Sequence, residues 1–95
     1  MNRIKSFADK ETMRVYYQRF SRKLPVTIQK VALRKLIMLD YSESLEDLRI
    51  PPSNHLEQLR GDREGQWSIR INNQYRICFY VMDSYYYDVE IVDYH

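Results

Sequence analysis

The sequence predicts an α+β fold: two N-terminal helices packed on a small, mostly antiparallel sheet, in the order β-α-α-β-β-β. Three observations carry this. Apolar residues recur at helical spacing between residues 13 and 39. Two runs near the middle, 67–71 and 75–79, alternate apolar and polar residues with period two. The 95 residues contain only two glycines and three prolines, with 44% hydrophobic content, which is the composition of an ordinary globular chain. That length suits one domain, residues 1–95, with one modest core.

Arg3-Ile4-Lys5-Ser6-Phe7 alternates and is short, as an edge strand carrying charge outward would. Asp9 is placed to cap a helix, and Met13, Tyr16, Tyr17 and Phe20 follow at i, i+3, i+4 and i+7, a single apolar stripe. Ser21 through Leu24 breaks that helix. Pro25 suits the first turn of a second one, where its missing N–H is harmless. Ile28, Val31, Ala32, Leu36 and Leu39 form its core stripe, widened by Leu33, Ile37 and Met38, with Lys30, Arg34 and Lys35 outside, and it ends near Tyr41. Ser44 to Arg49 adds a helical turn before Pro51-Pro52, which cannot continue it. His55 to Leu59 reads either as loop or as short strand.

Two alternating strands then flank Asn72-Asn73-Gln74, a hairpin connection in which Asn tolerates positive φ. Trp67, Ile69 and Ile71 share one face; Ser68 and Arg70 take the other. Tyr75, Ile77 and Phe79 share a face opposite Arg76, Cys78 and Tyr80. The last strand, Tyr87 to Val92, places Tyr87, Val89 and Ile91 on one side and Asp88, Glu90 and Val92 on the other. Four of the nine tyrosines fall between Tyr80 and Tyr87, a density without an obvious structural need.

Composition excludes several classes. The net charge of +2 is too small to announce a nucleic-acid binder, so charge distribution must carry that argument. One Cys rules out an intramolecular disulfide, and one Cys with two scattered His has no zinc spacing. Ser68 lacks a His or Asp at triad spacing. The N-terminal residues lack an apolar stretch long enough for a signal peptide, and no segment is long enough to span a bilayer, so the cytoplasm is the expected compartment.

The chemistry-bearing residues are Arg60, Arg63, Arg70 and Arg76, with Tyr94 and His95. Cleavage of RNA by its own 2′-hydroxyl requires a proton acceptor, stabilisation of the doubly charged phosphorane and a proton for the leaving 5′-oxygen. Guanidinium groups suit the second task, being always charged and able to grip phosphate through two parallel N–H donors. Histidine suits proton transfer because its reference pKa of about 6.5 lies near cellular pH. Arg70 and Arg76 fall on the polar faces of adjacent strands, about 5 Å apart. Arg63 has a competing structural role, since Asp62 and Glu64 offer ion-pair partners to Arg60 and Arg63.

Four stretches carry a resemblance: Leu59-Arg60-Gly61-Asp62-Arg63-Glu64-Gly65, Trp67-Ser68-Ile69, Tyr75-Arg76-Ile77 with Phe79, and Glu90-Ile91-Val92-Asp93-Tyr94-His95. In this order they resemble the HigB-type toxins of the RelE/ParE toxin–antitoxin superfamily, and the helical first half fits the same layout. The resemblance implies a RelE-like fold and a ribosome-dependent mRNA endonuclease that halts translation without a metal or other cofactor. It also implies a helix-turn-helix, HigA-like antitoxin, with DNA contacted only through that partner and no membrane. Arg60, Arg76, Tyr94 and His95 take the catalytic positions, while Arg63 and Arg70 are assigned to RNA binding. The sequence departs from relatives at two places. Glu57 stands where some have His, and Arg60 stands where Lys is familiar, and Arg cannot release a proton. Tyr94 or water is then left as proton acceptor, and the α-carboxylate beside His95 is expected to favour a cationic general acid. The superfamily alternatives are a ParE-like inhibitor of DNA gyrase and a non-catalytic co-repressor.

Overall fold

The computed structural model describes residues 2–94. Two helices, α1 (Lys10–Tyr16) and α2 (Val26–Tyr41), precede four strands: β1 (Glu57–Gln58), β2 (Trp67–Arg70), β3 (Tyr75–Met82) and β4 (Tyr85–Asp93). The strands form one antiparallel sheet in the order β1-β2-β3-β4. The helices pack on one face, α1 against β4 and α2 against β3. The α+β expectation therefore holds, and His55–Leu59 resolves in favour of a short strand.

The segment before α1 lies along the outer edge of β4, but as two isolated parallel bridges, Ile4 with Tyr86 and Phe7 with Val89, rather than a continuous strand. Asp9 caps α1 as expected, its carboxylate accepting from the Thr12 N–H at 2.7 Å. The helix then stops at Tyr16, because Gln18 turns left-handed at φ 61°. The face it buries differs from the expected stripe. Thr12 and Val15 point inward, whereas Met13, Tyr17 and Phe20 are 40%, 61% and 59% exposed. The buried Ile91 N–H donates to Thr12 Oγ1 at 2.9 Å, and this polar anchor fixes the rotation of α1.

α2 buries Ile28, Ala32, Leu36 and Leu39 as its periodicity requires, and Leu33 and Met38 pack against them, but Ile37 falls beyond the edge of the stripe and is exposed. Lys35, expected outside, is buried on that face instead, its ammonium donating to the Asn54 side-chain oxygen Oδ1. Asn54 is fully buried and returns its Nδ2 to the Leu48 carbonyl at 3.0 Å. This polar joint ties the two 3-10 turns Leu45–Arg49 and Pro52–Asn54 beneath α2 and aims the chain into β1.

The sheet's inner face supplies the rest of the core. Ile69, Ile77, Phe79, Tyr86 and Val89 are fully buried, with Phe79 and Tyr86 meeting edge to face at 5.1 Å. The β2–β3 turn is closed by the Asn72 side chain, which accepts from the Gln74 and Tyr75 N–H groups at 2.8 and 2.7 Å, rather than by a left-handed backbone. β3 runs beyond Phe79 and returns through Asp83-Ser84, both at positive φ, as a two-residue hairpin turn. The β3–β4 pairing shifts register between Cys78 and Tyr80, and Asp88 is left-handed at φ 51°. This bulge reverses the expectation for Tyr87. Tyr86 takes the core position, and Tyr87 turns to the opposite face from Val89 and Ile91.

Candidate functional site

The sheet face away from the helices carries the arginines. The strand register aligns Glu57, Ser68, Cys78 and Glu90 in a row across all four strands. The next row aligns Arg70, Arg76 and Val92. Period-two alternation turns the β2, β3 and β4 members outward, each next to a core residue of its own strand, and the β1–β2 pairing adds Glu57.

Arg76 is the centre of this face. Its side chain is only 14% exposed, which for a surface-facing arginine means that its direction is constrained. Nη1 donates to Ser68 Oγ at 2.6 Å and to the His55 carbonyl at 3.3 Å. Nη2 lies 3.3 Å from a Glu57 carboxylate oxygen. The His55 carbonyl is available there because His55 adopts a left-handed conformation, φ 46°, at the end of the Pro52 turn. The Tyr94 ring lies under the guanidinium, 5.6 Å from centroid to Cζ. Among the described residues these contacts leave the Nε–H and one N–H of Nη2 unassigned, the two adjacent donors a phosphate would engage.

The remaining predicted residues fall into three groups. Tyr94 is brought to Arg76, its N–H held by the Gln74 carbonyl at 2.7 Å. Arg70 is the Cα partner of Arg76, yet its guanidinium turns toward Asn73 in the hairpin loop, so the two arginines do not share a target. Arg63 is ion-paired, but with Glu90 at 3.2 Å rather than with the neighbouring Asp62 or Glu64. Gln66 also accepts from it, at 3.0 Å. Arg60 is exposed at the start of the Gly61–Arg63 turn, and its side chain makes no hydrogen bond or ion pair among the described residues. His95 lies outside the described residues.

Two residues at Arg76 are noted in the sequence without a role. Glu57 has no distinguishing local pattern; only the β1–β2 pairing brings it to Arg76. Ser68 was legible as a polar-face residue, but it is fully buried because the Arg76 side chain lies over it. Cys78, on the same face as Arg76, is completely covered, and burial pushes its thiol up to about 11, so it stays protonated and inert at neutral pH. No helix among the described residues is long and apolar enough to cross a membrane.

Comparison with known proteins places this geometry in context. Residues 5–95 match the family model described as the RelE-like toxin of the type II toxin–antitoxin system HigB. A toxin of Vibrio cholerae designated HigB-1 is 44% identical over 63 residues, covering 66% of this chain and 66% of that protein. An uncharacterised protein of Haemophilus influenzae is 47% identical over 57 residues, covering 60% of this chain and 56% of its own length. The chain thus aligns with somewhat under two thirds of these relatives. Among solved structures, a chain of the YoeB–YefM complex from Staphylococcus aureus superposes with a TM-score of 0.60 over 98% of both chains, at 20% identity. That level of identity supports the fold alone.

Proposed function

From the premise that the chain belongs to the HigB-like family of RelE-like toxins of type II toxin–antitoxin systems, we propose that it is an endoribonuclease that cuts messenger RNA on the ribosome. The observation that carries this reading is Arg76, oriented by Ser68, His55 and Glu57 with two donors left without a partner among the described residues. Its guanidinium binds the nonbridging oxygens of the scissile phosphate and takes up charge as the phosphorane forms. Glu57, half-exposed beside it, accepts the 2′-hydroxyl proton. The 2′-oxygen bonds to phosphorus while the bond to the 5′-oxygen breaks, giving a 2′,3′-cyclic phosphate and a 5′-hydroxyl. The proton for the leaving oxygen is assigned to the Tyr94–His95 terminus, and Arg60 and Arg63 contact flanking phosphates. The scheme routes no step through a metal.

Glu57 replaces Tyr94 or water as the proton acceptor expected from sequence. A carboxylate within ion-pair distance of the phosphate-binding guanidinium is a better-positioned base than a phenol stacked beneath it. The exposed, shallow face also supports ribosome dependence, because the ribosome can supply the substrate alignment that a chain of this size lacks. We read residues 1–95 as one toxin domain acting in the cytoplasm. Its proposed partner is a HigA-like helix-turn-helix antitoxin, with DNA reached only through that partner.

The test is cleavage of messages on translating ribosomes, with the new ends analysed chemically. The expected result is cyclic-phosphate and 5′-hydroxyl ends, with Glu57→Gln slowing their formation. Intact messages accompanied by DNA breaks would overturn the reading in favour of gyrase poisoning.

A further inference from the structure

The arginine-bearing face does not end at Glu90. Beyond it, Tyr80 pairs with Tyr87 and Met82 with Tyr85, all four on the same side of the sheet as Arg76 and Cys78. Their inward neighbours Phe79, Val81 and Tyr86 belong to the core. Tyr80 is 41% exposed, and Tyr85 and Tyr87 are half-buried. Tyr87 reaches this face only through the bulge at Asp88; plain alternation would pack it with Val89 and Ile91. A bulge that re-aims one aromatic ring from the core toward solvent costs core area, and such bulges commonly sit beside functional surfaces.

Cations interleave with these rings. Lys5 Nζ lies 4.5 Å and Arg3 Cζ 5.5 Å from the Tyr85 ring centroid. Arg3 is tied back to the Ser42 carbonyl at 3.1 Å, whereas Lys5 is exposed. On the other side, the loop bearing Arg63 lies against Tyr80. Gly65 holds φ 94° there, and a Cβ on it would stand 3.5 Å from the Tyr80 ring. Arg63 itself reaches Glu90, between the Arg76 row and the tyrosine pair. Arg76 and Tyr80 are four residues apart on β3, roughly 13 Å at about 3.3 Å per residue. A few nucleotides of single strand cover that distance.

We propose that Tyr80, Tyr85 and Tyr87 form a second, non-reacting subsite on which bases of the RNA strand stack, a few nucleotides from the bond cut at Arg76, with Lys5 meeting the backbone. The proposal rests on the endoribonuclease reading of the Arg76 site and extends it. Exposed aromatic rings on a sheet face with interleaved cations hold single-stranded RNA by stacking, which tolerates any base, and by phosphate contact, which orients the strand. Tyrosine suits such a platform because its ring offers a π face while its hydroxyl remains hydrated. The platform gives the strand a direction across the sheet, a property that the single guanidinium of Arg76 does not provide.

The experiment uses a short oligonucleotide with 2′-O-methyl groups, which cannot be cleaved, carrying 2-aminopurine at successive positions. A matched oligonucleotide with abasic residues in place of those bases serves as its partner. The full chain is expected to quench 2-aminopurine at positions displaced from the Arg76 phosphate and to bind the abasic strand about ten-fold more weakly. Tyr80→Leu combined with Tyr87→Leu should bind the base-bearing strand about ten-fold more weakly and lose the distinction between the two strands. Tyr80→Phe with Tyr87→Phe should keep both properties, which separates stacking from loss of fold. Arg76→Ala should weaken both strands alike and keep the quenching. The proposal is overturned if the leucine variant binds and discriminates as the parent chain does. It is also overturned if that variant binds RNA normally but no longer binds the antitoxin, since the face is then a protein interface. Failure of the underlying reading has its own signature, undiminished message cleavage by a folded Arg76→Ala chain.

Discussion

β3 and α1 bury their side chains by different means. β3 lies between β2 and β4, and its inner residues Ile77 and Phe79 are fully enclosed beneath the helices. Its outer residue Arg76 is held at the surface by Ser68, His55 and Glu57, contributed by two other segments. α1 has only seven residues and meets the sheet through Thr12 and Val15. Its bonds to the body are polar: Thr12 to Ile91, Glu11 to Ser21 at 2.5 Å, and Tyr16 to Asp40. In consequence Met13, Tyr17 and Phe20 remain outside. A central strand has its faces set by the pleat and by neighbours on both sides. A two-turn helix can be rotated by a few well-placed hydrogen bonds, even against its own apolar stripe.

The sharpest test of this contrast is truncation of one aromatic ring in each region. Phe79→Ala should cost about 3–5 kcal/mol, the range for emptying a fully packed core site. Tyr17→Ala, which gives up an edge-to-face contact with Tyr16 at 5.0 Å but little burial, should cost no more than about 1.5 kcal/mol. Denaturant midpoints of the two variants give the comparison directly, and equal losses would contradict it.

Next in size is Arg76→Ala, which acts on chemistry rather than on folding. Removal of a transition-state phosphate donor should raise the barrier by about 2.7–4 kcal/mol, a roughly hundred- to thousand-fold loss of ribosomal cleavage. Arg76→Lys should be impaired too, since an ammonium lacks the planar pair of donors. A folded variant with full activity would remove Arg76 from the site.

The polar anchoring of α1 is tested by Thr12→Val, which keeps the volume and leaves the buried Ile91 N–H without its acceptor. The expected loss is about 1–3 kcal/mol, measured by thermal or chemical unfolding. An unchanged stability would mean that apolar contact of Val15 alone orients the helix.

The smallest effect is confined to alkaline pH. The hydrogen bond from Tyr16 to Asp40, followed by burial, pushes the Tyr16 phenol from 10.0 up to about 12. The folded state therefore holds this proton more tightly than the unfolded state does. That contribution is complete below pH 10 and is lost as pH rises toward 12. Unfolding curves of the parent chain should decline more steeply across that interval than those of Tyr16→Phe, and parallel curves would count against the bond.

The amino-acid sequence by itself determined the inner and outer faces of β2 and of β3. A period of two leaves Ile69, Ile77 and Phe79 no alternative once one face is buried, and it delivers Arg70 and Arg76 to the other. It likewise determined the α2 stripe of Ile28, Ala32, Leu36 and Leu39, because sixteen residues of 3.6-fold periodicity average over local exceptions. Tertiary structure alone decided the rest. Glu57 meets Arg76 only because β1 pairs with β2, and Arg63 chooses Glu90 over its acidic neighbours because β4 lies beside the loop. Lys35 is buried because Asn54, nineteen positions away, offers it an acceptor. The bulge at Asp88 moves Tyr87 out of the core, and Thr12 rotates α1 toward Ile91. Each of these outcomes depends on a partner distant in sequence, whose position is settled by the packing of the whole chain and leaves no local period to read.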